Sequence, residues 1–258
     1  MKKLFLFLLF SLIFSCSVED DESIYSNTVS TEDTAEVQVT HYIPTFTFGE
    51  GMDTSFNQIK YLALGDSYTI GSGVEIIESW PYQLSKLISQ NKSTEVYSKV
   101  IAQNGITTNE LSLLVDNTII DEEFNLISIQ IGVNDQFKGE SPSQFEEKFA
   151  ELISKIKALD SLKSALIFVV SIPDWGSTPF GISFDQNKIS NEIDLFNGTL
   201  SRLCNTYNIK FINVTDISRI SPTDYTLVTN DNLHPSGKMY GLWVERIMPA
   251  IESLIVVN

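Results

Sequence analysis

Positive charge is what this chain lacks most. Its 258 residues carry 17 Lys and Arg against 33 Asp and Glu, a formal net charge of −16. Between Lys3 and Lys60 there is no Lys or Arg at all. Phosphate binding needs a concentrated basic surface, so nucleic acid is excluded as a partner. Cysteine and histidine are scarce too, with two of each. Cys16, Cys204, His41 and His234 are too scattered for a zinc cluster, so no metal is expected. There is no Gly-Lys-Ser/Thr phosphate loop, and Gly71-Ser72-Gly73 lacks the dinucleotide spacing, so no cofactor is called for. The long uncharged apolar run, Leu4 to Phe14, is too short for a comfortable membrane span.

That run follows Met1-Lys2-Lys3, and together they have the basic and apolar regions of a secretory signal, so residues 1–15 are set apart from the fold. Leu12-Ile13-Phe14-Ser15-Cys16 resembles the lipobox of bacterial lipoproteins, with Phe14 where a small residue is more usual. The resemblance implies an exported protein, lipidated at Cys16 and anchored to a bacterial outer membrane, with ordinary signal cleavage as the alternative that Phe14 leaves open; several acyl chains hold stably where one holds only marginally. Glu19-Asp20-Asp21-Glu22 reads either as part of a solvated tether or as resembling the acidic export signals that place lipoproteins on the outer cell face. With Cys16 acylated, Cys204 is the remaining thiol; no internal disulfide is available, and its apolar helical setting makes it a core residue. Residues 16–56 form an acidic tether, flexible to about Ala35, and Val37 to Phe48 alternates enough to lie against the domain as an extended arm. The globular domain spans 57–258.

Tyr61-Leu62-Ala63-Leu64 is a short apolar run closed by Gly65-Asp66-Ser67, the pattern of a buried parallel strand presenting its next residues at a rim. Trp80 to Ile88 puts Leu84, Leu87 and Ile88 on one helical face, behind Ser79 as N-cap and Pro81 in the first turn. A strand over Val96 to Ala102 precedes a helix starting from a Thr107 cap. Leu126 to Ile131 is a third strand, followed by a helix from Ser143 to Leu159 whose Phe145, Phe149, Leu152, Ile153 and Ile156 recur at helical spacing. A fourth strand, Ala165 to Ile172, leads through an irregular stretch to a helix from Ile189 to Tyr207. A fifth strand at Lys210 to Val214 and a helix from Ser236 to Leu254 complete the chain. Such alternation calls for a parallel sheet covered by helices on both faces.

Four loops leave one edge of that sheet with the groups acyl transfer needs. Ser67 supplies a hydroxyl, Gly105 a backbone N–H and Asn134 an amide, while Asp231-Asn232-Leu233-His234 supplies a carboxylate and an imidazole. A serine hydroxyl is a weak nucleophile until a base takes its proton and a third group orients the base. The three-residue spacing lets Asp231 reach the ring N–H of His234 and leaves the other nitrogen for Ser67. His41 lies in the acidic arm, so His234 is the single candidate base. Taken singly, Ser67 is also a capping serine, Asn134 a polar turn residue and Gly105 a position needing positive φ. Those readings do not explain why all recur at successive strand-to-helix junctions.

Gly65-Asp66-Ser67-Tyr68, Gly105, Gly132-Val133-Asn134-Asp135 and Asp231-Asn232-Leu233-His234-Pro235 together resemble the ordered motif blocks of the SGNH hydrolase superfamily, the GDSL-type esterases, with Tyr68 where leucine often stands. The resemblance covers Tyr61 to about Trp243. It implies a three-layer α/β/α sandwich on a five-stranded parallel flavodoxin-like sheet, and a carboxylic ester hydrolase. Ser67 would be the nucleophile, His234 the base and Asp231 its partner; the Ser67 and Gly105 N–H groups and the Asn134 side chain would form the oxyanion hole. Ile172 to Phe180 looks like a loop of one bacterial branch, read either as a pocket wall contacting substrate through Trp175 and Phe180 or as an ordinary aromatic loop over the sheet edge. The expected substrate is a small-molecule or carbohydrate ester with a short or acetyl acyl group, because no long apolar lid lies between the blocks. Hydrolysis of lysophospholipid or other lipid esters is the alternative, and a non-catalytic carbohydrate-binding lipoprotein is the rival against which an intact Ser, Asp and His set speaks.

Overall fold

The computed structural model describes residues 39–46, as backbone, together with 58–252 and 254–255. The expected signal segment, Cys16 and the expected tether apart from residues 39–46 lie outside the described residues. Six strands form one sheet: β1 (Val39–Phe46), β2 (Ile59–Gly65), β3 (Val96–Ala102), β4 (Leu126–Gln130), β5 (Leu166–Val170) and β6 (Lys210–Ile212), in the order β1-β3-β2-β4-β5-β6. From β2 to β6 all pairings are parallel, the expected five-stranded sheet in the flavodoxin-like order. The arm adds the sixth strand, which runs antiparallel to β3 from Val39 opposite Ala102 to Phe46 opposite Val96.

Helices α1 (Ser67–Ile70), α2 (Trp80–Lys92), α3 (Thr108–Asn117), α4 (Val133–Phe137), α5 (Pro142–Ala158), α6 (Gln186–Tyr207), α7 (Thr215–Ser218) and α8 (Gly237–Ile251) follow the strands. In one layer α2 packs on α8; in the other α5 lies between α3 and α6. The local causes are plain in α5. Ser141 accepts a bond from the Gln144 N–H while the Gln144 side chain accepts from the Ser141 N–H, a reciprocal cap that contributes about 1 kcal/mol. The whole stripe from Phe145 to Ile156 is buried as its spacing predicts, with Phe145 stacked 4.8 Å from Phe196 of α6. Thr107 and Glu110 cap α3 in the same reciprocal way. At α2 the expected cap is present in position only, because the Ser79 hydroxyl donates backwards to the Ile76 carbonyl at 2.7 Å. Cys204 is buried within α6, and burial pushes its thiol up to about 12.

The single-turn helices α1, α4 and α7 have no counterpart in the sequence reading. Four or five residues are too few to express a helical period. All three start just beyond the carboxyl end of a strand, and two of them carry residues of the site. No helix among the described residues is long and apolar enough to cross a membrane.

Candidate active site

Strand order reverses at β2, whose neighbours β3 and β4 follow it in the chain on opposite sides, and open α/β sheets bind ligands in the crevice beyond such a point. The chain turns sharply there. A side chain at Gly65 would stand 2.1 Å from the Thr69 hydroxyl and 2.4 Å from the Gln130 carbonyl, so only glycine lets β2 pass directly into α1. The next residue, Asp66, caps that turn by accepting the Tyr68 N–H at 3.0 Å, and Ser67 opens the helix with its hydroxyl facing the crevice.

Ser67 Oγ lies 3.0 Å from His234 Nε2, and His234 Nδ1 lies 2.6 Å from Asp231 Oδ2. Asn232 between them adopts φ +66°, a left-handed turn that brings the carboxylate under the ring. The other oxygen, Asp231 Oδ1, accepts the Thr229 hydroxyl and the backbone N–H groups of Leu233 and His234 at 2.7–2.9 Å. Burial alone would raise this carboxyl. Bonds from the His234 backbone, the Thr229 hydroxyl and the His234 ring outweigh it and hold the group down at about 2. An ionised carboxylate only accepts, so in neutral His234 the proton sits on Nδ1 and Nε2 faces the serine as acceptor. The Tyr68 ring lies edge-on to the imidazole, 5.6 Å between centroids.

Gly105 lies beyond β3 at φ +74°, and a Cβ there would meet nothing within 4 Å, so backbone conformation is what selects glycine. Neither its N–H nor that of Ser67 donates to another group among the described residues. Asn134 sits in α4 beyond β4; its amide donates to the Ile106 carbonyl at 3.0 Å and approaches Asp66 Oδ2 at 3.4 Å, the outer limit of a hydrogen bond. Asp135, fully buried, accepts the backbone N–H and hydroxyl of Thr108, which ties the Asn134 turn to the segment carrying Gly105. Burial also raises Asp66, to about 7, against the Tyr68 N–H and with help from the charge of Asp135. Ser67, Gly105, Asn134 and His234 border one pocket of about 320 Å³, lined also by Tyr68, Ser72, Asn104, Val133, Phe137, Trp175, Phe180 and Leu233.

The structure therefore brings together Ser67, Gly105, Asn134, Asp231, His234, Trp175 and Phe180. The Trp175 indole is buried and donates to the Gln136 side chain at 2.7 Å, while Phe180 stays partly open to solvent. His41 lies on β1 opposite Val100. Two further aromatics escaped the sequence reading. Phe137 stands 5.5 Å from the Trp175 ring and Phe184 stands 5.1 Å from it. Their signals were the one-turn step from Asn134 to Phe137 and the alternation Phe180-Gly181-Ile182-Ser183-Phe184. Among the described residues no group of three acidic, histidine or cysteine side chains is placed to hold a metal.

The model of the GDSL-like lipase/acylhydrolase family matches residues 63–242. The chain belongs to that family. It is a carboxylic ester hydrolase of the SGNH type. No curated protein matches it. Solved structures of the same fold include a GDSL-like lipase from Parabacteroides merdae, 18% identical, with a TM-score of 0.62 over 75% of this chain and 95% of that one. The psychrotrophic esterase EstA from Pseudoalteromonas, inhibited by monoethylphosphonate, is 19% identical with a TM-score of 0.59, over 76% of this chain and 97% of its own. An acetylxylan esterase from Geobacillus stearothermophilus is 14% identical with a TM-score of 0.60, over 75% of this chain and 94% of its own.

Proposed function

We propose that this hydrolase cleaves acyl esters in two displacements through an acyl-enzyme on Ser67. The observation that carries the reading is the unbroken series Ser67 Oγ, His234 Nε2, His234 Nδ1, Asp231 Oδ2, at 3.0 and 2.6 Å. As Ser67 attacks the ester carbonyl, Nε2 takes the hydroxyl proton and the fixed negative charge of Asp231 stabilises the imidazolium. The carbonyl oxygen, now an anion, is met by the N–H groups of Ser67 and Gly105 and by the Asn134 amide. His234 returns the proton to the departing alkoxide. Water, activated by the same nitrogen, then releases the acid and regenerates the serine.

The substrate is a neutral ester. Among the described residues, no ionisable side chain other than His234 and Tyr68 lines the pocket. A net charge of −16 also repels anionic substrates. The protein works outside the cytoplasm, lipidated at Cys16; the Cys16→Ser protein should leave the membrane fraction, and its retention there would reject this anchor. EstA is inhibited by monoethylphosphonate, and the same class of reagent tests the nucleophile here. Treatment with an ethylphosphonate ester should place one adduct on the peptide containing Ser67 and abolish hydrolysis of p-nitrophenyl acetate. An adduct elsewhere, or a Ser67→Ala protein with parental activity, would reject the assignment.

A further inference from the structure

The apolar wall of the pocket continues past its lip. Phe137, Trp175 and Phe180 line the pocket, and Phe184, which does not, packs 5.4 Å from Phe180 and 6.4 Å from Phe137. Ile182 lies between Phe180 and Phe184 on the same 3₁₀ turn, Phe180–Ser183. Trp175 is buried, yet Phe137 exposes 55% of its surface, Phe184 44%, Phe180 38% and Ile182 64%. A connected group of large apolar side chains left open beside a reacting serine marks a ligand groove.

This wall is held firmly. Asp174, fully buried, accepts the Gly176 N–H, the Ser190 hydroxyl and Arg219 Nε at 2.6–3.0 Å, and the Phe180 N–H donates to the Asn232 carbonyl of the catalytic turn. Its chemistry speaks against a sugar. Phe137, Phe180, Ile182 and Phe184 carry no hydrogen-bonding group, and the Trp175 N–H is already taken by the Gln136 side chain, so this wall offers the hydroxyls of a pyranose no partner. The opposite wall is polar: the Ser72 hydroxyl donates to the Asn104 side chain at 2.7 Å. An acyl chain has no polar atom beyond its carbonyl and suits the aromatic wall. The departing alkoxide oxygen, which takes up a proton, suits the other.

We propose that these rings form a shelf for the alkyl part of a medium-length acyl group, with Phe137 and Phe184 setting the preference for chain length. The proposal rests on the reading of Ser67 as the esterase nucleophile, and it replaces the expectation of acetyl esters with one of aliphatic acyl esters. An acetyl group would leave the shelf bare. Each further methylene covered by the rings should raise kcat/KM by up to about fourfold.

The test is a series of p-nitrophenyl esters from acetate through butyrate, hexanoate and octanoate to decanoate, run on the parent and on Phe137→Ser, Phe184→Ser and the milder Phe184→Leu. The parent's octanoate-to-acetate ratio of kcat/KM should exceed tenfold, and each serine variant should lower that ratio at least fivefold, Phe184→Leu less. A companion series holds acetate fixed and lengthens the alcohol from ethyl to octyl; it should show no comparable rise. A flat acyl series in an active parent, or a rise that follows the alcohol, overturns the shelf while leaving the nucleophile untouched. Loss of the Ser67 reading shows itself separately, as a Ser67→Ala protein active at every chain length.

Discussion

The turn after β2 and the turn ahead of α8 each contribute an aspartate to the same site, and their carboxyls are driven in opposite directions. Asp66 is buried and meets one firm donor, the Tyr68 N–H, so its carboxyl rises to about 7. Asp231 is two-fifths exposed, meets four donors, and falls to about 2. The number of hydrogen bonds offered to the charged form, set against burial, decides which aspartate carries a charge at work. In the proposed mechanism the charge under His234 assists the imidazolium. A second beside Asn134 would oppose the oxyanion, and below neutrality the burial of Asp66 suppresses it.

The largest effect is expected where Asp231 acts, at the imidazole: His234→Ala should lower kcat on the order of 10⁶-fold in a p-nitrophenyl ester assay, and a loss under tenfold would dissolve the site. Asp231→Asn should cost about 10⁴ in kcat, because an amide no longer fixes the Nδ1–H tautomer. The reading of Asp231 as the charged member fails if that loss is no larger than for Asp66→Asn. Asn134→Ala should lower kcat by about 10² to 10³ with little change in KM; a change confined to KM would make it a binding residue. The smallest effect on turnover, under about tenfold, belongs to Asp66→Asn, whose signature is in stability instead. Since the folded carboxyl titrates near 7 and the unfolded one near 3.8, the native state holds the extra proton between them, so Asp66 makes stability fall as pH rises from 4 to 7. The melting temperature of Asp66→Asn, followed across that range, should lose this decline; an unchanged slope would mean that Asp66 is ionised throughout. Asp231 works the other way, adding stability above pH 3.8 that is lost as pH falls towards 2.

The long elements were legible because burial leaves a periodic trace. The α5 stripe and the five parallel strands stand where apolar spacing puts them, and the reach from Asp231 to His234 followed from a three-residue step. What stayed hidden depends on contacts between segments far apart in the chain. Nothing local tells Phe184 that Phe137 will be its neighbour, or tells Ser79 to bond backwards to Ile76 rather than forwards into α2. Asp66 looked like a turn former, and its titration follows from how completely the fold encloses it.

The added edge strand also decides how the enzyme can be handled. Val39 pairs with Ala102, at the end of β3 from which the Gly105 segment departs, so β1 begins beside the catalytic crevice and runs away from it. At the other terminus, Leu254 and Ile255 share a small cavity with Gln58, Asn125 and Ser164, which precede β2, β4 and β5. Val39 thus lies at the carboxyl end of the parallel strands and Ile255 at their amino end. A handle joined directly at Val39 would stand at the crevice end of the strands, whereas one joined at Ile255 would stand at the far end and leave the pocket mouth clear.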